Sequence, residues 1–313
     1  MSFHVFIDGA VGTTGLEIGE RLAGRSDIAL IALPEERRKD AVARAEALND
    51  ADAVILCLPD DAAREAVSLI TNPSTRVIDA STAHRTDPAW AYGFAELEPG
   101  SRQELSTATR ISNPGCYPTG FLALVRPLVR AGLIPASWPL SVNATSGYSG
   151  GGKSMIAAFE NLSDPHRTDT AFRIYALGLG HKHAPEMRVR AGLDHAPIFM
   201  PAVARTYRGM LVEVPLHLHA LPGRPRGLAI REVLEAAYEG SALVRVDSGE
   251  HAVLTLERAA GTDQLELFVF IDEKAGQARL VAALDNLGKG AAGAAVQNLN
   301  IALGLNEIEG LRL

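Results

Sequence analysis

The sequence predicts an α/β chain built in two parts: a parallel-sheet domain of alternating strands and helices, then an α+β domain whose sheet is mostly antiparallel. Three observations carry this. In the first third, short apolar runs alternate with helical patterns, as they do when each strand is followed by a covering helix. Beyond residue 197 the apolar runs come in pairs around short turns, the mark of antiparallel strands. A length of 313 residues suffices for two well-formed cores.

Composition narrows the function classes. Hydrophobic residues make up 47% of the chain and charged residues 21%, the balance of an ordinary soluble globular protein. The formal charge of −7 leaves no basic surplus for nucleic acid or an anionic membrane surface. Two cysteines make no disulfide framework, which points to a reducing compartment. The N-terminus runs straight into Val5-Phe6-Ile7 without the segments of a secretory signal, and no apolar run approaches membrane-spanning length. A cytoplasmic location is expected.

The strands of the first part are read at Val5-Ile7, Ile28-Leu33, Ala53-Leu58 and Arg76-Asp79, with helices at Thr14-Leu22, Asp40-Leu48 and Asp61-Ile70. Strand one enters Gly9-Ala10-Val11-Gly12-Thr13-Thr14-Gly15, a G-x-x-G-x-x-G loop that lets backbone amides approach a pyrophosphate at a helix N-terminus. Strand, loop, helix and next strand together indicate a Rossmann-type dinucleotide site rather than a bare βα turn. Strand two leads to Glu35-Glu36-Arg37-Arg38-Lys39, of mixed sign. The acids suit the ribose hydroxyl of NAD, whereas Arg37 and Arg38 suit the 2′-phosphate of NADP, which is preferred. Strand four ends in Asp79-Ala80-Ser81, and strand ends at this edge line the ligand crevice. Ser81 and Arg85 are therefore candidate polar contacts.

Ser112-Asn113-Pro114-Gly115-Cys116-Tyr117-Pro118-Thr119 aims a cysteine out of a tight turn at a helix start. Pro114 restricts its own φ, Gly115 permits unusual backbone angles, and Pro118 suits a first helical turn. Phe121, Leu122, Val125, Leu128 and Val129 continue at helical spacing. At a helix N-terminus the partial positive charge favours thiolate over thiol, so Cys116 reads as a nucleophile. Cys57, inside an apolar strand run, reads as inert packing.

Gly147 through Ser154 matches the P-loop pattern G-x-x-x-x-G-K-S, and Leu267–Asp272 resembles a magnesium-binding strand, so a nucleotide hydrolase is the rival class. Against it, the following strands look antiparallel. Ile198-Tyr207 and Met210-His219 flank an Arg208-Gly209 turn, and Leu265-Asp272 and Ala278-Leu284 flank Glu273-Gly276. Helices are expected at Ile230-Tyr238 and Lys289-Leu303. His181-Lys182-His183-Ala184-Pro185-Glu186 supplies an acid/base imidazole and a carboxylate able to orient it. His217 and His219 repeat the spacing and raise a metal reading, but on a strand they share one solvent-facing side. No metal is expected.

With these residues in view, the chain resembles the N-acetyl-γ-glutamyl-phosphate reductases in their shorter variety, relatives of aspartate-semialdehyde dehydrogenase. The resemblance covers nearly the whole chain. It rests on the glycine loop, Asp79-Ala80-Ser81 with Arg85, Asn113–Thr119, Ser146–Gly150, His181–Glu186 and Asp285-Asn286-Leu287-Gly288-Lys289-Gly290-Ala291. It implies an NADP-binding domain over 1–115, completed by a C-terminal helix within 286–313, and an α+β catalytic and oligomerisation domain over 116–285. It also implies a cofactor site of Gly9, Val11, Gly12, Thr13, Thr14, Gly15, Arg37, Arg38 and Ser81, with Asn286 and Gly290 near the nicotinamide. The reaction implied is NADPH-dependent reduction of a small acyl phosphate through a thioester on Cys116, for arginine biosynthesis. His183 is the expected acid/base partner and His181 the alternative, with Glu186 as orienter. Asn113 is a candidate oxyanion donor, and Arg85, Ser149 and Lys153 are candidate phosphate or carboxylate contacts. Aspartyl or N-acetylaminoadipyl phosphate remain alternative substrates, and a homo-oligomer, dimer or tetramer, is expected.

Overall fold

The computed structural model describes residues 2–38 and 40–313. Lys39, which closes the Glu35–Lys39 stretch, lies outside the described residues. The chain divides into two compact units, Met1–Pro114 with Ala291–Leu311, and Gly115–Gly290 with Arg312–Leu313.

The first unit interleaves β1 (Phe3–Asp8), α1 (Thr13–Leu22), β2 (Ile28–Ile31), α2 (Ala41–Asp50), β3 (Ala53–Leu56), α3 (Asp60–Leu69) and β4 (Arg76–Asp79). Then come β5 (Ala91–Tyr92), α4 (Ser101–Thr107) and β6 (Arg110–Ser112). These strands form one parallel sheet in the order β2-β1-β3-β4-β6-β5. Its central strands are buried on both faces, as their unbroken apolar runs require. One face packs Ile18 and Leu22 of α1 together with Val296 and Leu299 of the C-terminal helix Gly293–Leu303. The other face packs Ala47 and Leu48 of α2 with Ala63 and Ala66 of α3. β1 sends its crossover toward β2 and β3 sends its own toward β4, so the sheet's switch point lies between β1 and β3. In such sheets ligands bind at that point, outside the carboxyl ends of the strands. β3 stops at Leu56 because Pro59 follows closely. Cys57 therefore sits just past the strand's end, not within it.

The second unit runs α5 (Cys116–Arg130), β7 (Ser141–Gly147), α6 (Gly152–Glu160), β8 (Phe172–Ile174), α7 (Ala184–Ala191), β9 (Ile198–Ala204) and β10 (Met210–His217). It continues through α8 (Gly227–Tyr238), β11 (Val244–Val246), β12 (Leu265–Asp272) and β13 (Gln277–Leu284), after which the chain enters the C-terminal helix, α9. The mixed sheet has the order β11-β12-β13-β10-β7-β9-β8. β12 and β13 form the expected hairpin around residues 273–276.

The expected hairpin of β9 and β10 does not form. β7 lies between them, parallel to β9 and antiparallel to β10. The cause is a set of backbone bonds that draws residues 205–209 across the end of β7: Gly147 N–H donates to Gly209 O, Tyr148 N–H to Thr206 O and Ser149 N–H to Tyr207 O. This arrangement also removes the P-loop reading. β7 has an antiparallel neighbour, and β12 is separated from it by β13 and β10.

α5 is the core helix of the second unit. Phe121, Leu122, Leu124, Val125 and Leu128 are fully buried, each contributing roughly 1.5–3 kcal/mol of burial. Pro127, inside the helix, cannot donate to the carbonyl of Ala123. The Tyr238 hydroxyl of α8 donates to that carbonyl instead, at 2.8 Å. Among the described residues no helix is long and apolar enough to cross a membrane.

Candidate active site

In the first unit the glycine loop forms a backbone cradle at the switch point. Gly9 has a φ of +92°, and a side chain there would run into the carbonyl of Cys57, so only glycine lets the loop turn beside β3. Gly12 N–H donates to Gly9 O at 2.9 Å and caps α1 without any side-chain cap, which leaves first-turn N–H groups for a ligand. Gly15 is packed against the Gly9 carbonyl, Thr13 and Thr14 are half-buried, and Val11 is exposed. Arg37 and Arg38 are exposed beyond β2, and Arg37 makes only a loose 3.7 Å pair with Glu46. Sequence reasoning missed the partly buried ion pair beside this cradle, in which Asp8 Oδ2 accepts from Arg44 Nη2 at 2.9 Å. An acidic strand end was visible, but nothing local marks a partner 36 residues away.

At the carboxyl edge of β4, Asp79 holds its own loop. It accepts from the Ser81 N–H at 2.9 Å and the Ser81 hydroxyl at 2.8 Å, and meets His84 Nδ1 at 2.6 Å. His84 stacks on Trp90, and Thr82 is tied to Asp60. Arg85 is buried and donates from Nε to Asn113 O and from Nη2 to Ala80 O, which joins this loop to the turn before the cysteine. Burial, then the charges of Asp79 and Asp8, pushes the Cys57 thiol up to about 12, far from a reactive thiolate.

In the second unit α5 begins at Cys116 itself, two residues before Pro118, with Gly115 as an N-cap that carries no side-chain cap. Cys116 is half-buried and in no disulfide. Three elements meet the helix start Gly115–Tyr117. From α7, the buried Glu186 accepts the Gly115 N–H on Oε1 at 2.9 Å, so its carboxylate anchors the cysteine turn, a role the expectation of an imidazole orienter did not include. From the turn before α9, Gly290 presses so close that a Cβ there would lie 2.9 Å from the Cys116 Cβ. From the segment after β8, the Tyr175 hydroxyl donates to the Tyr117 hydroxyl at 3.1 Å. Both phenols are pushed up by burial, and each also feels the negative charge of a Cys116 thiolate.

The two histidines flank the same tyrosine. Tyr117 makes edge contacts with His181 at 6.0 Å and His183 at 5.9 Å between ring centroids, and the imidazoles are 4.8 Å apart. They are not equivalent. His181 Nδ1 accepts the His183 N–H at 3.1 Å, which puts its proton on Nε2 and leaves no lone pair to act as a base. Burial, then the neighbouring Lys182, lowers His181 from an ordinary 6.5 to about 4. The unfolded chain therefore binds more protons than the folded one between these values. Stability is full above pH 6.5 and declines as the pH falls toward 4. His181→Gln should flatten this part of the melting-temperature profile, and an unchanged profile would contradict the assignment.

Asn286 is buried and used at both ends. Its Nδ2 donates to Ser149 Oγ at 2.8 Å and its Oδ1 accepts the Gly209 N–H at 3.0 Å, which holds the Ser146–Gly150 segment against the crossover. Asn286, Gly290, Ser149 and Lys153 thus fall in the second unit with Cys116. Ser81, Arg85, Asn113 and the glycine loop fall in the first. Lys153 is exposed on α6. Among the described residues no group of three or more His, Cys, Asp or Glu side chains is placed to hold a metal ion.

Residues 4–105 match the family model described as semialdehyde dehydrogenase, NAD binding domain, and residues 116–286 match semialdehyde dehydrogenase, dimerisation domain. The chain belongs to the semialdehyde dehydrogenase family. Its curated relatives include N-acetyl-gamma-glutamyl-phosphate reductases. That of Brucella anthropi is 52% identical over 97% of this chain and 99% of its own, and that of Trichormus variabilis 50% identical over 98% of each. Among solved structures, a probable aspartate-semialdehyde dehydrogenase from Pseudomonas aeruginosa superposes with a TM-score of 0.73 at 15% identity, covering 97% of this chain and 99% of the other. Identity that low speaks to the shared fold alone.

Proposed function

We propose that the protein reduces N-acetyl-γ-glutamyl phosphate to N-acetylglutamate 5-semialdehyde with NADPH, as the names of its half-identical relatives suggest. The observation that carries the reading is Cys116 at the uncapped N-terminus of α5, next in the chain to Tyr117, whose ring lies against His183 and His181. The Cys116 thiolate, favoured by the helix terminus, attacks the acyl carbon. The carbon–oxygen bond to phosphate breaks and inorganic phosphate leaves with the electron pair, giving a thioester. When bound, the reduced nicotinamide supplies the hydride that the thioester carbon accepts. His183 gives a proton to the resulting hemithioacetal oxygen and takes it back as the carbon–sulfur bond breaks, releasing aldehyde and thiolate. The Cys116 N–H at the helix start holds the oxyanion between these steps.

Glu186 anchors the cysteine turn and His181 acts as a neutral donor. The cradle of Gly9, Gly12 and Gly15 fits a pyrophosphate, and the exposed Arg37 and Arg38 favour NADP over NAD by pairing with the 2′-phosphate. Copies of the chain pair through the second unit, whose open sheet face exposes Phe172, Ile174, Ile198 and Met200. A monomeric mass in sedimentation would refute that part.

The test is the reverse reaction. NADP should be reduced by N-acetylglutamate 5-semialdehyde only when phosphate is present, faster than by aspartate or N-acetylaminoadipate semialdehyde and faster than with NAD. Reduction without phosphate, or none with any of the three aldehydes, would defeat the reading.

A further inference from the structure

Asp285 follows directly on β13 and is fully buried in the second unit, which also holds Cys116 and Gly290. Its carbonyl accepts the Gly290 N–H at 3.0 Å, five residues on, and a helix of the π type begins at Gly288. An ordinary helical turn would close one residue earlier, on Lys289. The extra residue widens the turn and leaves N–H groups inside it without helical acceptors, so such turns stay short and need other partners. Asp285 supplies them from its own side chain. Oδ1 accepts the N–H of Leu287 at 2.8 Å and that of Gly288 at 3.2 Å. Oδ2 accepts the Gly261 N–H and pairs with Arg208 Nη1 at 3.4 Å, which ties the turn to the segments that enter β12 and β10.

The wide turn seats Gly290 on Cys116. A Cβ at Gly290 would lie 2.9 Å from the Cys116 Cβ and 3.3 Å from its Cα, so bare backbone covers one flank of the residue that carries the sulfur. A Cβ at Gly288 would overlap Thr262 O, so the segment before β12 backs the same turn. Were the turn to close in the ordinary register, Gly290 would be carried about 100° around it and would leave this contact.

We propose that Asp285 is a positioning residue for the reaction. Its carboxylate holds the wide register that keeps Gly290 on Cys116, and this seat fixes the Cβ from which the sulfur reaches the acyl carbon. A misplacement of about 1 Å at a reacting atom costs about 10²-fold in rate. The inference rests on Cys116 being the nucleophile, as in the reading above.

Two variants separate the acceptor from the charge. Asp285→Glu keeps a carboxylate for Arg208 but is a methylene too long to close on the Leu287 and Gly288 N–H groups, whereas Asp285→Asn keeps the short acceptor and gives up the charge. In the reverse reaction Asp285→Glu should lower kcat by about 10²-fold with KM for NADP held within about threefold, and Asp285→Asn should cost kcat no more than about fivefold. Equal losses, or the opposite order, would overturn the proposal and make Asp285 merely the structural partner of Arg208. Where Asp285→Glu fails to fold, Arg208→Met removes the charge partner and leaves the turn intact. It should hold kcat within about fivefold, and a loss near 10²-fold would overturn the proposal. Independently of turnover, iodoacetamide labelling of Cys116, read by mass on its peptide, should quicken by about threefold or more in Asp285→Glu while the buried Cys57 stays unlabelled. Unchanged labelling of Cys116, or labelling of both thiols, overturns the positioning role even in a chain that reduces no acyl phosphate, whereas a wild type without turnover defeats the reductase reading alone.

Discussion

Cys116→Ser is expected to remove turnover almost entirely, by about 10⁴-fold or more, while NADP affinity stays within about twofold. A serine hydroxyl at the same helix terminus stays protonated at neutral pH, and an oxygen ester accepts hydride less readily than a thioester. Little else should change. The residue is half-buried, the substitution alters its size only slightly, and the Gly115–Glu186 bond that shapes the turn does not involve the sulfur. Cofactor affinity should persist because the glycine cradle and Arg37 and Arg38 belong to the first unit. Single-turnover mixing of the acyl phosphate with enzyme, in the absence of NADPH, should release one phosphate per chain from wild type and none from the variant. A burst of phosphate from the serine variant would end the covalent route.

His183→Asn carries the second largest effect, a fall in kcat of roughly 10²–10⁴-fold, the range of losing a general acid/base. His181→Asn should cost far less, because the His181 Nδ1 already accepts a backbone N–H and its Nε2 bears the proton. The contrast is sharpest in the pH dependence of kcat/KM. The limb belonging to the proton carrier should vanish in His183→Asn and survive in His181→Asn. If the His181 variant loses both rate and limb, the two roles must be exchanged, and the Nδ1 bond to the His183 N–H would have to open during catalysis.

The parts of this site that could be read directly are those built from consecutive residues. The Asn113-Pro114-Gly115-Cys116 turn and the Gly9–Gly15 loop are local chemistry, in which backbone freedom, a missing N–H and a helix start lie within a few positions. The parts that escaped reading depend on a distant partner. Glu186 was legible as a carboxylate near histidines, but its bond to the Gly115 N–H spans 71 residues. Gly290 was legible within the Asp285–Ala291 motif, but its close approach to the Cys116 Cβ was not. The β9–β10 hairpin was inferred from two apolar runs and a glycine between them. Spacing alone does not reveal that a third strand has been inserted.

Apolar periodicity and turn residues by themselves determined the fold class, the glycine loop between β1 and α1, and the placing of a cysteine at a helix start, because each follows from interactions among near neighbours in the chain. Only the tertiary structure decided which nitrogen of His181 is occupied and where the carboxylate of Glu186 goes. Those outcomes are set by which buried donor meets which buried acceptor, a matching that exists only once elements far apart in sequence have packed together.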